Sequence, residues 1–211
     1  MNLKDWIFTL LGTAILVALI ILIANPKSDS QSITAASAPD SNDSMHGGGK
    51  PADSAIFNKL VGKTAPDFTL TSYTGETITL SKLKGNNVLL FFNEGLMCYP
   101  ACWNQVAAFG KDAQFKEKNT VVLNITVDAK DKWQEAVAKM PDLAGATVLL
   151  DTDKKVSNLY GVLALPSSMH RGQFPGHSYV IIDKKGVVRF AQDDTEMAVR
   201  DRDLANEIST L

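Results

Sequence analysis

Residues 88–102 read Val-Leu-Leu-Phe-Phe-Asn-Glu-Gly-Leu-Met-Cys-Tyr-Pro-Ala-Cys and carry the clearest structural pattern in the chain. The apolar run at 88–92 predicts a strand that is buried on both faces, because it is short and shows no polar alternation. The two cysteines that follow are the only ones in the chain. A thiol at a helix N-terminus is favoured as the thiolate, which is the reactive species. The stretch therefore predicts a strand, a short loop and a helix start around a reactive dithiol.

The spacing of Cys98 and Cys102 favours a reversible disulfide. Pro100 suits the first turn of a helix and biases Tyr99 towards extended backbone, so we expect Cys98 just outside the helix and Cys102 just inside it. Residues four apart in a regular helix have Cβ atoms about 5–6 Å apart, whereas a disulfide needs roughly 3.5–4.5 Å. An unwound Cys98 closes this gap. Two buried cysteines, or an inert disulfide, are the structural alternative.

The remaining pattern alternates between strands and helices. Period-two runs on either side of Gly75 predict one hairpin, and a second is predicted to turn through residues 183–186. Further strands are expected at 120–127 and 147–150, and helices at about 100–118, 133–140, 154–160 and from 195 onwards. This order predicts an α/β fold with a central mixed sheet flanked by helices.

The N-terminal region predicts a membrane anchor. Residues 6–24 are apolar and carry no charge, and at about 1.5 Å per residue they span close to the roughly 30 Å of a bilayer core. We therefore expect one transmembrane helix within residues 1–24, although a cleaved signal peptide is the alternative. A single anchor here predicts a single-pass protein of the cell membrane with its domain on the extracytoplasmic side, where disulfides persist.

The sequence beyond the anchor divides into a flexible linker, residues 25–54, and one domain, residues 55–211. The linker is rich in Ser, Asp, Ala and Gly, a composition that cannot bury a core. The net charge is only −2, and the charges are dispersed, so nucleic acid is not expected as a partner.

Residues 61–70, Val-Gly-Lys-Thr-Ala-Pro-Asp-Phe-Thr-Leu, resemble the opening motif of the AhpC/TSA group, the peroxiredoxin-like redoxins of the thioredoxin-fold superfamily. The segments at 80–85, 159–162 and 180–189 resemble it too, and the likeness covers about residues 58–192. It implies a thioredoxin-like fold and an antioxidant thiol–disulfide oxidoreductase that needs no cofactor. Cys98 would attack, Cys102 would resolve, and the substrates would be protein thiols and disulfides, or peroxide.

Two departures from that group concern peroxide chemistry. Gly95 stands where peroxiredoxins place a Thr or Ser three residues before the reactive cysteine, and His177 stands where they place an Arg. The hydroxyl and the guanidinium stabilise charge that develops on the peroxide oxygens. We therefore expect thiol–disulfide exchange to be faster than peroxide consumption.

An alternative function follows from a second resemblance. Sco-type copper-delivery proteins share the fold, a membrane anchor, a C-x-x-x-C spacing and a His before the same late strand, which Cys98, Cys102 and His177 match. Two thiolates and an imidazole suit Cu(I), so a copper-binding assembly factor is the alternative. A solvated loop histidine is the plainer interpretation of His177. Glu94 is interpreted as a polar loop residue or as a proton acceptor near Cys98.

Overall fold

The computed structural model describes residues 54–211, which form a seven-stranded mixed sheet with helices packed on both faces. The strands are β1 (Thr69–Ser72), β2 (Thr77–Thr79), β3 (Asn87–Phe92), β4 (Thr120–Thr126), β5 (Val148–Leu150), β6 (Ser178–Ile182) and β7 (Val188–Asp193). The helices are α1 (Ala55–Asn58), α2 (Ala101–Lys111), α3 (Gln114–Glu117), α4 (Lys130–Lys139), α5 (Lys155–Leu159) and α6 (Asp201–Ile208). This architecture confirms the predicted α/β class.

The strand order β2-β1-β5-β4-β3-β6-β7 places β3 inside the sheet. β3 pairs in parallel with β4 and antiparallel with β6. The carboxyl ends of β3 and β4 therefore meet at one edge, together with the start of β6. Loops at such an edge carry function in open α/β sheets, and the cysteine-bearing segment follows β3 directly.

β3 is buried along its whole length because both of its faces are covered. Leu89 and Phe91 belong to the cluster that also contains both cysteines and the apolar faces of α2, α4 and α6. Leu90 and Phe92 face the opposite cluster, which includes residues of α1 and α5. Successive side chains of a strand point to opposite faces, so a continuous apolar run fits a strand covered on both.

Both predicted hairpins are confirmed, whereas two predicted helices have different bounds. The helix expected at 100–118 is interrupted after Lys111, where the Asp112 carboxylate accepts the N–H of Gln114 and begins α3. The last helix begins at Asp201 rather than near 195. The preceding segment is held by Asp194, whose carboxylate accepts the N–H groups of Glu196 and Ala198. These local hydrogen bonds compete with helix formation.

Among residues 54–211, no helix is long and apolar enough to cross a membrane. The apolar run at 6–24 and nearly all of the linker lie outside the described residues. The predicted transmembrane helix and the predicted domain boundaries therefore stay predictions.

Candidate active site

The segment after β3 forms a compact turn that carries the first cysteine. The Asn93 side chain accepts the N–H of Gly95 at 2.9 Å, and residues Gly95–Cys98 then form a 3₁₀ turn. Tyr99 is extended, the Tyr99–Pro100 peptide bond is cis, and α2 begins at Ala101. Cys98 thus lies outside the helix and Cys102 inside its first turn, as predicted.

Cys98 and Cys102 are joined in a disulfide, with a Cα–Cα distance of 5.3 Å. The predicted pairing is therefore confirmed. Both cysteines are enclosed in this oxidised form, with exposed fractions of 2% for Cys98 and 0% for Cys102. The reason is packing, because both sulfurs belong to the core cluster beneath α2.

Two large apolar side chains next to Cys98 are exposed on the surface. Met97 and Tyr99 flank Cys98 in sequence and are 51% and 69% exposed. Tyr99 packs edge-to-face against Trp103 with the ring centroids 5.1 Å apart, while the Trp103 indole N–H donates to the Gly95 carbonyl at 3.0 Å. The two aromatic residues thus flank the site, and Trp103 fixes the turn rather than reaching into solvent.

His177 lies directly against the disulfide. The ring is fully buried, and its Nδ1 is 3.5 Å from Cys102 Sγ, while its Nε2 is 2.7 Å from the Tyr179 hydroxyl. Burial lowers the pKa of His177 from 6.5 to about 4, because the charged form is poorly solvated there. The interpretation of His177 as a solvated loop residue is wrong. The Cys98, Cys102 and His177 ligand atoms all lie within 4.8 Å of one another.

Glu94 has a role that sequence reasoning missed. Its carboxylate is fully buried, and Oε1 accepts hydrogen bonds from the Ser168 hydroxyl and from the N–H groups of Met169 and His170, at 2.7–3.1 Å. Glu94 therefore ties the loop before β6 to the turn that carries Cys98. The sequence offers no local signal for this contact, because the partners lie more than 70 residues away.

Gly95 occupies a position that no other residue fits. Its φ is +59°, and a Cβ there would overlap the Asp128 carboxylate and the Thr126 hydroxyl. The Asp128 Oδ2 already accepts the Leu96 N–H at 2.9 Å and the Thr126 hydroxyl at 2.8 Å, and burial raises the pKa of Asp128. The hydroxyl that peroxiredoxins are expected to have here is thus excluded by the packing of a carboxylate.

Gly95→Ala should therefore destabilise the domain by about 3 kcal/mol, combining left-handed backbone strain with overpacking. Gly172→Ala is the matched control, because Gly172 has a φ of +80° but nothing within 4 Å of its Cβ position. We expect that control to lose only about 1 kcal/mol. Denaturant unfolding of both variants measures the difference, and equal losses would contradict the proposed clash at Gly95.

Comparison with known proteins identifies the family to which this chain belongs. Residues 61–191 match the family model described as the AhpC/TSA family. The chain belongs to the AhpC/TSA family. The match includes the disulfide, His177 and all seven strands up to Ala191 in β7.

Individual relatives of this AhpC/TSA chain are peroxiredoxins. It is 34% identical over 147 residues to the chloroplastic peroxiredoxin Q of Sedum lineare, covering 66% of this chain and 73% of that one. It is 36% identical to the chloroplastic peroxiredoxin Q of Triticum aestivum, over 61% of this chain but only 57% of that relative. Peroxiredoxin-2 of Mus musculus is 33% identical over 64% of this chain and 70% of its own length.

Solved structures agree with this family assignment. The mitochondrial 2-Cys peroxiredoxin of Plasmodium falciparum is 26% identical, with a TM-score of 0.60 over 72% of this chain and 93% of that one. The reduced 2-Cys peroxiredoxin of Plasmodium vivax is 25% identical, with a TM-score of 0.59 over 72% and 81%. The chain is thus a peroxiredoxin-like thiol oxidoreductase with a thioredoxin-like fold. The Sco-like resemblance stays a prediction.

Proposed function

We propose that the domain is a dithiol oxidoreductase that exchanges its Cys98–Cys102 disulfide with thiols and disulfides of partner proteins, and that it reduces peroxide more slowly. The observation that carries this proposal is the closed disulfide at the carboxyl end of β3. Peroxide is the substrate class suggested by the relatives' names. In this proposal, thiol–disulfide exchange and peroxide reduction use the same two cysteines and differ in rate.

Cys98 is proposed as the attacking thiol and Cys102 as the resolving thiol. Cys98 lies before α2, next to the exposed Met97 and Tyr99, so a partner can approach it from solvent once the disulfide is open. Cys102 lies within the helix, contacts His177 and faces the core. A mixed disulfide formed at Cys98 would therefore be resolved from the protein side by Cys102.

Two features of the site oppose fast peroxide reduction. Gly95 provides no hydroxyl, and the carboxylate of Asp128 fills the space beside it. His177 is neutral at physiological pH, because its pKa is lowered to about 4. It cannot supply the positive charge that stabilises an oxyanion leaving from peroxide.

Oxidation of the reduced chain tests this proposal directly. Reduced chain is mixed in separate experiments with equal concentrations of hydrogen peroxide and of glutathione disulfide, and loss of free thiols is followed by alkylation and mass spectrometry. We expect the disulfide reagent to oxidise the pair faster. Faster oxidation by peroxide would make the protein a peroxidase first and would overturn the proposed order of rates.

We also propose that the domain is held at the extracytoplasmic face of the cell membrane by a single N-terminal helix. The support is the uncharged apolar run at residues 6–24, together with a disulfide that an oxidising compartment preserves. A phosphatase fused to the C-terminus, which is active only after export, should be active and should sediment with membranes. Activity of a reporter that works only in the cytoplasm would contradict this location.

Copper binding is the second candidate function, and one observation favours it. Two cysteine sulfurs and His177 Nδ1 lie within 4.8 Å of one another, and on reduction they form a soft donor set that fits Cu(I). Titration of the reduced chain with Cu(I), followed by the ultraviolet absorption of copper–sulfur bonds, tests it. Binding of one Cu(I) that is lost in His177→Ala would favour the copper function. Absence of binding would exclude it and leave thiol–disulfide exchange as the single candidate function.

A further inference from the structure

A buried chain of hydrogen bonds leads away from the disulfide through three side chains. Cys102 Sγ contacts His177 Nδ1 at 3.5 Å, and His177 Nε2 lies 2.7 Å from the Tyr179 hydroxyl. The Tyr179 hydroxyl donates to Gln105 Oε1 at 2.9 Å. All four residues are fully buried, so within the described structure solvent has no direct route to Cys102.

The far end of this chain fixes the direction of the hydrogen bonds between Gln105, Tyr179 and His177. Gln105 Oε1 accepts the backbone N–H of Arg200 at 2.7 Å, and Gln105 Nε2 donates to Asp201 Oδ1 at 2.5 Å. A backbone N–H can only donate, so the Gln105 atom facing it must be the amide oxygen. The amide is therefore held in one orientation, with its acceptor towards Tyr179.

The orientation of Gln105 in turn determines which nitrogen of the His177 ring carries the proton. Because Gln105 Oε1 can only accept, the Tyr179 hydroxyl donates to it and offers a lone pair to His177 Nε2. The neutral ring accordingly carries its proton on Nε2, which leaves Nδ1 as an unprotonated acceptor facing Cys102 Sγ. The same logic orients histidines in other sites, where the hydrogen bond at one nitrogen decides the state of the other.

We propose that Gln105 and Tyr179 are positioning residues that hold His177 in this tautomer, so that His177 Nδ1 accepts the thiol proton of Cys102 when Cys102 attacks a mixed disulfide at Cys98. This inference rests on the proposed function, in which Cys98 attacks and Cys102 resolves. Since Cys102 is enclosed, a base inside the protein takes the place of solvent for its deprotonation.

Resolution starts from the mixed disulfide between Cys98 and the partner's sulfur. The Cys102 S–H bond breaks and its proton moves to His177 Nδ1, while the Cys102 sulfur forms the bond to Cys98. The bond between Cys98 and the partner's sulfur breaks, and its electron pair leaves with the partner as a thiolate. Cys102 is oxidised, the partner's sulfur is reduced, and the partner thiolate takes up the proton as the imidazolium returns to neutral.

A Cys102 thiolate beside the ring would favour the imidazolium, because adjacent opposite charges stabilise each other.

A two-phase thiol reaction tests the proposal in the full chain. Reduced chain is mixed with 5,5′-dithiobis(2-nitrobenzoate) in a stopped-flow instrument, and the coloured thiolate is counted. The first equivalent reports attack by Cys98, and the second reports resolution by Cys102; the chain has no other cysteine. Tyr179→Phe should slow the second phase about 10- to 100-fold, as expected for loss of a residue that orients a functional histidine, and should leave the first phase unchanged.

Tyr160→Phe is the matched control. Tyr160 is also fully buried and also loses a hydrogen bond, from its hydroxyl to the Pro66 carbonyl at 2.8 Å, but it lies in the cluster on the opposite face of the sheet. We expect both phases to be unchanged in this variant. Equal second-phase rates in Tyr179→Phe and Tyr160→Phe would overturn the proposed role of Tyr179.

A spectroscopic readout separates positioning from general stability. Nitrogen-15 chemical shifts of the His177 ring should report the Nε2–H tautomer in the natural chain and a mixture of tautomers in Tyr179→Phe. An Nδ1–H tautomer in the natural chain would overturn the proposal. Failure of the first phase would instead count against the proposed function, since Cys98 would then not be the attacking thiol.

Discussion

Cys98→Ser is expected to reduce thiol–disulfide exchange by roughly 10³-fold or more, because removal of an attacking nucleophile leaves only the uncatalysed reaction. Cys102→Ser should behave differently, since it keeps Cys98 and loses only the resolving thiol. That variant should accumulate a mixed disulfide with its partner. Nonreducing electrophoresis and intact mass measurement would detect this complex, and reductant should dissolve it.

Met97→Ser is a suitable control for both cysteine variants. It lies next to Cys98 in the same turn, its side chain is exposed, and it leaves the disulfide in place. We expect it to exchange at close to the natural rate. Trapping of partners by Cys98→Ser, through Cys102, would reverse the assigned roles of the two thiols.

The parts of the fold that could be predicted are those specified by local pattern. The continuous apolar run at 88–92 predicted a strand covered on both faces, and β3 is fully buried as a result. Alternating residues around Gly75 predicted a hairpin, which β1 and β2 form. The placement of Cys98 and Cys102 on either side of a helix start followed from Pro100. In each case, residues adjacent in sequence determine the structure.

The parts that could not be predicted depend on contacts between distant segments. A solvated loop residue was one of two interpretations of His177, yet its ring is enclosed by Phe91 and by Cys102, which lie 86 and 75 residues earlier. Glu94 was interpreted as a polar loop residue, yet it accepts three hydrogen bonds from residues 168–170. A charged residue in a loop is usually exposed, and only the tertiary structure reveals the donors that allow its burial.

The missing hydroxyl at Gly95 was predicted, but its physical cause is visible only in the structure. The sequence indicated the absence of the peroxiredoxin hydroxyl at this position. It did not indicate that Asp128, 33 residues later, occupies the space that such a side chain would need. Restoring the hydroxyl by Gly95→Thr would therefore disrupt the turn instead of creating a peroxidase.

The oxidised domain should lose stability as the pH falls from about 6.5 to about 4, and His177 should cause much of that loss. The pKa of His177 is lowered to about 4 in the native state by burial, while in the unfolded chain it is near 6.5. Between these values the unfolded state binds a proton that the native state does not, so protons favour unfolding. The contribution is fully present above about pH 6.5 and amounts to about 3 kcal/mol.

Charged groups near the His177 ring partly compensate one another, so they do not remove the pH dependence of stability. Asp194 raises the pKa of His177 and Arg200 lowers it, but these two residues form an ion pair at 2.9 Å, so neither acts as an isolated charge. Cys102 is uncharged in the disulfide. The desolvation of the imidazole therefore remains the dominant cause of the pH dependence.

Unfolding by denaturant at several pH values between 7 and 4 measures this dependence, and His177→Gln should remove it. That variant should be less stable than the natural chain at pH 7, because a buried hydrogen-bonded ring is lost, but the difference between the two should shrink by about 3 kcal/mol towards pH 4. Tyr160→Phe is the control, since it removes a buried hydrogen bond on the opposite face of the sheet, keeps His177 and should retain the slope of the natural chain. Parallel curves for the natural chain and His177→Gln would mean that His177 takes up its proton equally well in the folded and unfolded states, which a fully enclosed neutral ring cannot do.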